Sequence, residues 1–375
     1  MAISSNIFLK KFDWLFLIFA VLLTILGLIC LYGLSLFSGD FSNFNQQAIF
    51  FLIGIILAIS LSFIDFKALR DSSLFILAIY FFSIILLLGV FFLGKEIRGS
   101  RSWYHFGSFT FQPVEIVKII FILFFAKYFS QRHVEMYQKR HIVLSFVYAF
   151  IPTALVFLQP DFGSAIILIL IWFSMMLVSG IKRKHLLIIF GVGVLFFLVA
   201  WNFVFTQEQK DRFTTFLEPY INPEGEYIDP QGTGYHIQQS IIAVGSGGLF
   251  GKGISEPYTQ AKLGFLPEAH NDFIFAAFTE MFGLIGVSVL FLLFGLFFWR
   301  GIEIAKKSNN NFSRLLVSGF IILIGAEAFI NIGMNIGLLP ISGLPLPFLS
   351  YGGSSLLSLF IGIGIIESVK VHGNK

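Results

Sequence analysis

The sequence predicts an all-α polytopic membrane protein with about ten transmembrane helices and one large extracytoplasmic loop. Three observations predict this class. Hydrophobic residues make up 57% of the 375 positions and charged residues 12%, about half the charged share of a soluble domain, ~25%. Apolar runs of about twenty residues, the length that crosses a bilayer, recur along the chain. Lysine and arginine gather in alternate turns, the charge bias that orients membrane helices. A mean hydropathy of +0.86 agrees, and one bundle absorbs nearly the whole chain, so 1–375 reads as a single membrane domain.

The runs place spans near 14–37, 47–65, 73–93, 113–130, 142–158, 162–180, 185–205, 272–299, 313–338 and 350–369. The segment 1–13 is short and basic, and the apolar run after it is too long and lacks a small-residue cleavage site, so the first helix is expected to stay. Cys30 is the only cysteine. It excludes a disulfide framework or a thiol-rich metal site and reads as a lipid-facing filler. Phenylalanine richness is assigned to lipid contact, and no internal repeat is visible.

Cations mark one side: Lys10 and Lys11, Lys67 and Arg70, Arg132, Lys139 and Arg140, Lys182 to Lys184, Arg300, Lys306 and Lys307, and finally Lys370 and Lys375. These turns and both termini are expected in the cytoplasm. The opposite turns are nearly free of cations, except Lys95, Arg98 and Arg101 in the loop 94–112 and Lys210, Arg212, Lys252 and Lys262 in the loop 206–271. Cations held against the orientation rule point to anionic phosphate ligands. The loop 206–271 carries Pro219, Pro223, Pro230 and the glycine-rich stretch from Gly245 to Gly253. Its aromatic and aliphatic content predicts an ordered cap with short interfacial helices.

Ionisable groups in or beside a span cost several kcal/mol unless paired or hydrated, so each is a candidate for function. Glu115 and Lys118 follow Gln112-Pro113 and lie three residues apart on one helix face, where they can pair; a neutral ion pair and a substrate-facing role are equally open. Gln159-Pro160-Asp161-Phe162-Gly163 reads as turn chemistry. In Leu266-Pro267-Glu268-Ala269-His270-Asn271-Asp272, Asp272 is either an N-cap or a base whose pKa the membrane edge would raise. Asn331 and Asn335 in the ninth span favour helix packing. The run from Leu338 to Ser355, with three prolines, predicts a non-helical cavity wall. No protein-only metal cage is apparent, and a divalent cation, magnesium or manganese, shared with a phosphate ligand is compatible with these residues.

Together these motifs resemble the SEDS family, the shape, elongation, division and sporulation proteins. The resemblance runs over nearly the whole chain and is carried by Gly99-Ser100-Arg101-Ser102-Trp103, by Gln112-Pro113-Val114-Glu115 with Lys118, and by Gln159 to Gly163. It continues through Gly234-Tyr235, Gln238-Gln239-Ser240, Gly245 to Gly248, Leu266 to Phe273, and Pro345 to Ser355. Three positions depart from the family pattern: Val114 replaces a serine, Ser342 stands for the commoner threonine, and Glu226 to Gln231 extends the loop. Short tails and Asn331-Ile332-Gly333-Met334 lean towards the elongation type, RodA, over the division type, FtsW.

The resemblance implies a peptidoglycan glycosyltransferase that polymerises lipid II on the outer face of the bacterial cytoplasmic membrane, with ten helices and both ends cytoplasmic. It implies Asp272 as catalytic base. Arg101, Lys118 and Lys252 are the candidates for the pyrophosphate, with Glu115 holding Lys118. Trp103, Gln112, Asp161, Glu268, His270, Ser350 and Tyr351 complete the expected substrate-binding set. The implied partners are a class B penicillin-binding protein, other members of an elongation or division complex, and membrane lipid, with no nucleic acid. A lipid II flippase is the rival, since spans with cavity-lining prolines and charge pairs also build transporters.

Overall fold

The computed structural model describes residues 11–65, 71–97, 100–107, 109–132, 138–203, 205–221 and 233–372. Lys10, Lys67, Arg70, Arg98, Gly99, the loop extension Glu226 to Gln231 with Pro223 and Pro230, and Lys375 lie outside these residues.

Apolar runs become helices because lipid offers no partner for backbone N–H and C=O groups, which must bond within the segment. In chain order the elements are α1 (Trp14–Ser38), α2 (Ser42–Ser62), α3 (Ser73–Leu93), β1 (Lys95–Ile97), β2 (Ser100–Phe106), β3 (Phe109–Phe111), α4 (Pro113–Arg132), α5 (Lys139–Leu158), α6 (Phe162–Val178) and α7 (Arg183–Phe203). There follow α8 (Gln207–Ile221), α9 (Thr233–Ser246), α10 (Ile274–Lys306), α11 (Asn311–Asn335) and α12 (Gly353–His372). Each of the ten apolar runs corresponds to one long helix. Eight of these helices are long and apolar enough to cross a membrane. The other two are α6, which has 17 residues, and α4, which carries Glu115, Lys118, Lys127 and Arg132.

Helix ends follow local chemistry. Asp13, Ser72, Asp161 and Asn310 accept first-turn N–H groups of α1, α3, α6 and α11, the usual role of short polar side chains at an N-cap. Helix α4 lies at the centre, buried over nearly its whole length, and its phenylalanines stack inward: Phe125 packs edge-on to Phe121 and tilted against Phe129. These rings fill the bundle, so lipid contact accounts for only part of the phenylalanine content. Where α12 meets α2, a side chain on Gly364 would strike the Ala58 backbone. Small residues permit that approach where packing, without a hydrophobic drive between helices, holds spans together.

Three expectations change. Cys30 is fully buried inside α1's packed face, because Leu23, Cys30 and Leu31 turn towards the bundle while Ile25 and Ile29 face outwards. The loop 94–112 is a small antiparallel sheet of order β1-β2-β3, added to the otherwise helical fold. Part of the loop 206–271 is not a surface cap: α8 and α9 are the expected short helices, but the glycine stretch after α9 folds into a break in α10. At Gly283, φ is 62° and ψ −163°, a region open essentially to glycine alone.

Asp13, ahead of α1, pairs with Arg300 near the end of α10 at 2.8 Å and with Lys370 of α12. Both described ends of the chain and the α10–α11 turn therefore share one side of the bundle. A cavity of about 230 Å³ lies there, lined by Asp13, Arg300, Glu303 and Lys370 among others. Its charged side chains are all paired with one another, and the motif residues collect at the opposite ends of α10, α11 and α12.

Candidate active site at the head of α10

Asp272 lies one residue before Phe273, the N-cap of α10, and its backbone carbonyl accepts two hydrogen bonds from α11: Asn331 Nδ2 at 2.9 Å and Asn335 Nδ2 at 3.0 Å. Asn335 also uses its Oδ1 to accept the Ala276 N–H at 3.0 Å. The capping task that the sequence offered Asp272 is thus carried, for Ala276, by a residue of another helix. Asn331 reaches further, donating to the Leu344 carbonyl at 2.7 Å. The Asp272 carboxylate faces the segment that joins α11 to α12: Oδ2 lies 3.9 Å from the point where a side chain on Gly343 would begin. The packing reading of Asn331 and Asn335 holds, and what they pack is the candidate base.

The proline-rich strap between α11 and α12 is non-helical, as its composition predicts. Ser350 accepts the Leu346 N–H and donates to the Asn271 carbonyl, both at 2.7 Å. The Tyr351 N–H donates to the His270 carbonyl at 2.9 Å, and the His270 and Tyr351 rings sit 5.9 Å apart. The opposite wall is α2, where Gln47 bridges the strap by donating to the Ser350 carbonyl at 2.9 Å and accepting the Gly352 N–H at 3.1 Å. Gln46 accepts the Tyr351 hydroxyl. Partial burial raises the Tyr351 phenol above its ordinary value. Glu268 and Phe348, either side of the site, hold positive φ angles of 52° and 67°, costly for residues with side chains unless the surroundings impose them. Glu268 is also 3.8 Å from His270 Nε2 and accepts from Asn271 Nδ2 at 3.2 Å.

A second polar group joins Gln112, Asp161 and α12. Gln112 Nε2 donates to Asp161 Oδ2 at 3.1 Å, while its backbone N–H donates to Ser354 Oγ at 3.1 Å. Asp161 caps α6 through Ser164 N and Ser164 Oγ, at 3.0 and 2.8 Å, so the turn reading holds with one longer-range partner added. Burial pushes the Asp161 carboxyl above its ordinary value, against the opposing pull of the Ser164 bonds.

The candidate cations have different fates. Lys118 is buried and lies between Glu115 at 2.8 Å and Glu327 of α11 at 2.5 Å, with 1% of its side chain exposed. Sealed and doubly paired, it presents almost no exposed surface, and the expected ion pair with Glu115 is formed. Lys252 pairs with Glu280 at 2.7 Å and keeps 28% of its side chain exposed. It sits beside the second turn of α10, two turns beyond Asp272. Arg101 is exposed on β2. Trp103, half-buried on the same strand, pairs in register with Lys95 of β1, and the sheet is tied to the bundle by the Tyr104 hydroxyl on Leu86 O and by Ser102 Oγ on Gln159 O. Among the described residues no cluster of three or more histidine, cysteine or carboxylate side chains could hold a metal ion.

Four residues of this architecture fall outside the motifs singled out in the sequence: Gln46, Gln47, Glu280 and Glu327. The two acids carried a usable signal, since each is a lone carboxylate within an apolar span.

A model of the FtsW, RodA and SpoVE family, described as a cell cycle protein, matches residues 13–375. The chain belongs to this family. The peptidoglycan glycosyltransferase MrdB of Escherichia coli K12 is 38% identical over 294 residues, covering 78% of this chain and 77% of that protein. Stage V sporulation protein E of Bacillus subtilis is 34% identical over 366 residues, covering 95% and 96%. A solved structure, described as structural coordination of polymerization and crosslinking by a peptidoglycan synthase complex, superposes with a TM-score of 0.78 at 28% identity, covering 96% of this chain and 97% of that one. The FtsW/RodA/SpoVE fold is thus a polytopic helical membrane protein, as hydropathy and charge predicted.

Proposed function

We propose that this chain is a peptidoglycan glycosyltransferase that polymerises lipid II, with Asp272 as its base. The observation that carries the reading is the double hold of Asn331 and Asn335 on the Asp272 carbonyl. It fixes the backbone at the head of α10, with the carboxylate beside Gly343 of the strap. The similarity to MrdB supplies the reaction class.

In the proposed step the Asp272 carboxylate takes the proton of an acceptor sugar hydroxyl as that oxygen attacks the anomeric carbon of the donor. The new glycosidic bond forms as the bond to the pyrophosphate breaks. Undecaprenyl pyrophosphate leaves with the electron pair, and the anomeric configuration inverts. A base placed against the incoming hydroxyl contributes to such a step about 10²–10⁴-fold. Arg101 and the exposed part of Lys252 are the cations for the leaving group, and His270, Tyr351 and Gln112 form the polar wall. A divalent cation, were one bound together with the substrate, would supply further charge stabilisation.

The chain sits in the bacterial cytoplasmic membrane with both ends inside, and works with a class B penicillin-binding protein that crosslinks the new strands in elongation or division. The pairing of Asp13 with Arg300 and Lys370 supports the shared side of the ends, and the synthase-complex neighbour supports a crosslinking partner.

The test is incubation of the purified protein in lipid, with and without its partner, with labelled lipid II. Muramidase-sensitive polymer is expected. Intact lipid II in every sample, together with its passage across the bilayer, would replace this reading with the flippase.

A further inference from the structure

The break in α10 is filled by the chain itself. In an unbroken helix the N–H groups of Leu284 and Ile285 would donate to Glu280 and Met281, four residues back. Here Leu284 N donates to Gly248 O at 2.9 Å and Ile285 N to Leu249 O at 3.1 Å. The released carbonyls of Glu280 and Met281 accept from Lys252 N and Gly253 N, both at 2.9 Å. Two helix bonds are exchanged for four bonds to the hairpin, and Gly251 N closes the hairpin on Gly247 O at 2.8 Å.

The hairpin's side chains separate by polarity. Lys252 turns inward to the fully buried Glu280. Leu249 and Phe250 at the tip are 61% and 78% exposed. Beside them Leu284 and Ile285 of α10 are also exposed, continuing the outward apolar strip that runs on through Leu292. Sixteen residues separate Leu284 from Arg300, about 24 Å along a helix, within the ~30 Å hydrocarbon thickness. Irregular backbone is tolerated at that depth when its polar groups are bonded to protein, which the four exchanged bonds achieve. A water-exposed loop has no such need and rarely displays two large apolar side chains at its tip.

We propose that the hairpin Gly247–Gly253 is a re-entrant element whose tip, Leu249 and Phe250, is embedded among the acyl chains of phospholipids, in the leaflet on the Asp272 side. Its occupant is hydrocarbon of the bulk bilayer. The assignment is independent of the chemistry at Asp272. It makes lipid a direct contact of the segment that splices α10 together twelve residues beyond the candidate base.

The test is spin labelling of the full chain in phosphatidylethanolamine–phosphatidylglycerol nanodiscs without substrate. Cys30 is fully buried, and Cys30→Ala leaves a background for single labels at Leu249→Cys and Phe250→Cys. Leu292→Cys serves as the lipid reference and Lys306→Cys as the aqueous one. The expected result at both tip positions is loss of collisions with a water-soluble nickel chelate and retention of collisions with oxygen, as at position 292. As a second reading, a Phe250→Trp variant is expected to lose fluorescence with acyl-brominated lipids. Nickel collisions matching position 306 would overturn the proposal. So would exclusion of both reagents, which would mean that protein, such as a second copy of the chain, covers the tip.

Discussion

Asn335 of α11 grips Asp272 and α10 at once, donating to the Asp272 carbonyl at 3.0 Å and accepting the Ala276 N–H at 3.0 Å. With Glu327 and Asn331 it forms a buried stripe at four-residue spacing, one face of α11. The stripe binds α4 through Lys118 at one end and the candidate base at the other. Replacing Asn335 with alanine removes a cap, worth ~1 kcal/mol, and strands buried polar groups at about 1–3 kcal/mol each. Asn335→Ala is expected to lower both the melting temperature and the polymerisation rate. A thermal scan in detergent beside a lipid II assay checks it, and unchanged values in both would show that the contact matters little.

Lys118 stands between two buried carboxylates, so its loss is costlier than theirs. Removing one member of a buried ion pair costs about 3–5 kcal/mol because the remaining charge is unpaired. Lys118→Met is expected to unfold well below the native protein. The triple change Glu115→Gln, Lys118→Met and Glu327→Gln, which leaves no charge behind, is expected to recover most of the loss. Comparing the two melting temperatures decides it, and equal losses would contradict the pairing.

Gly283 occupies backbone space that a side chain resists, and Cβ there would meet the hairpin backbone at Leu249. Gly283→Ala is expected to cost about 1–3 kcal/mol and to loosen the hairpin, seen as faster hydrogen exchange over 247–253. Gly191→Ala, a glycine in α7 with open space around it, should change neither.

Asp161 has a folded-state pKa raised above its ordinary value of 3.8 by burial. Between those two values the folded protein holds the extra proton, so stability falls as pH rises through this window and levels off above the folded pKa. Asp161→Asn, which keeps an acceptor for Ser164, is expected to flatten that part of the curve. Melting temperatures from pH 4 upwards measure the slope, and an identical slope in the variant would contradict the assignment.

The spans were legible because hydrocarbon imposes length and polarity on every run, and because the lysine and arginine bias distinguishes the two sides. Glu115 with Lys118, and the non-helical strap around Pro345, were legible for the same reason: lipid tolerates neither a lone charge nor an open backbone. What pairs across the bundle was not. Nothing in the apolar run around Glu327 names Lys118 as its partner over 209 positions of sequence, and Gly283 stands among apolar neighbours that read as unbroken helix. Cys30 was placed on the wrong face because an all-apolar helix carries no polar side to orient it. Asp272 was legible as a candidate, but the residues that hold it come from α11, some sixty positions downstream.

The most direct test of the account is the polymerisation rate of Asp272→Asn with labelled lipid II and the penicillin-binding partner, in a protein whose melting temperature matches the native one. The account predicts a loss of about 10²–10⁴-fold with complex formation intact. Polymer formed at the native rate would contradict it and remove Asp272 as the base.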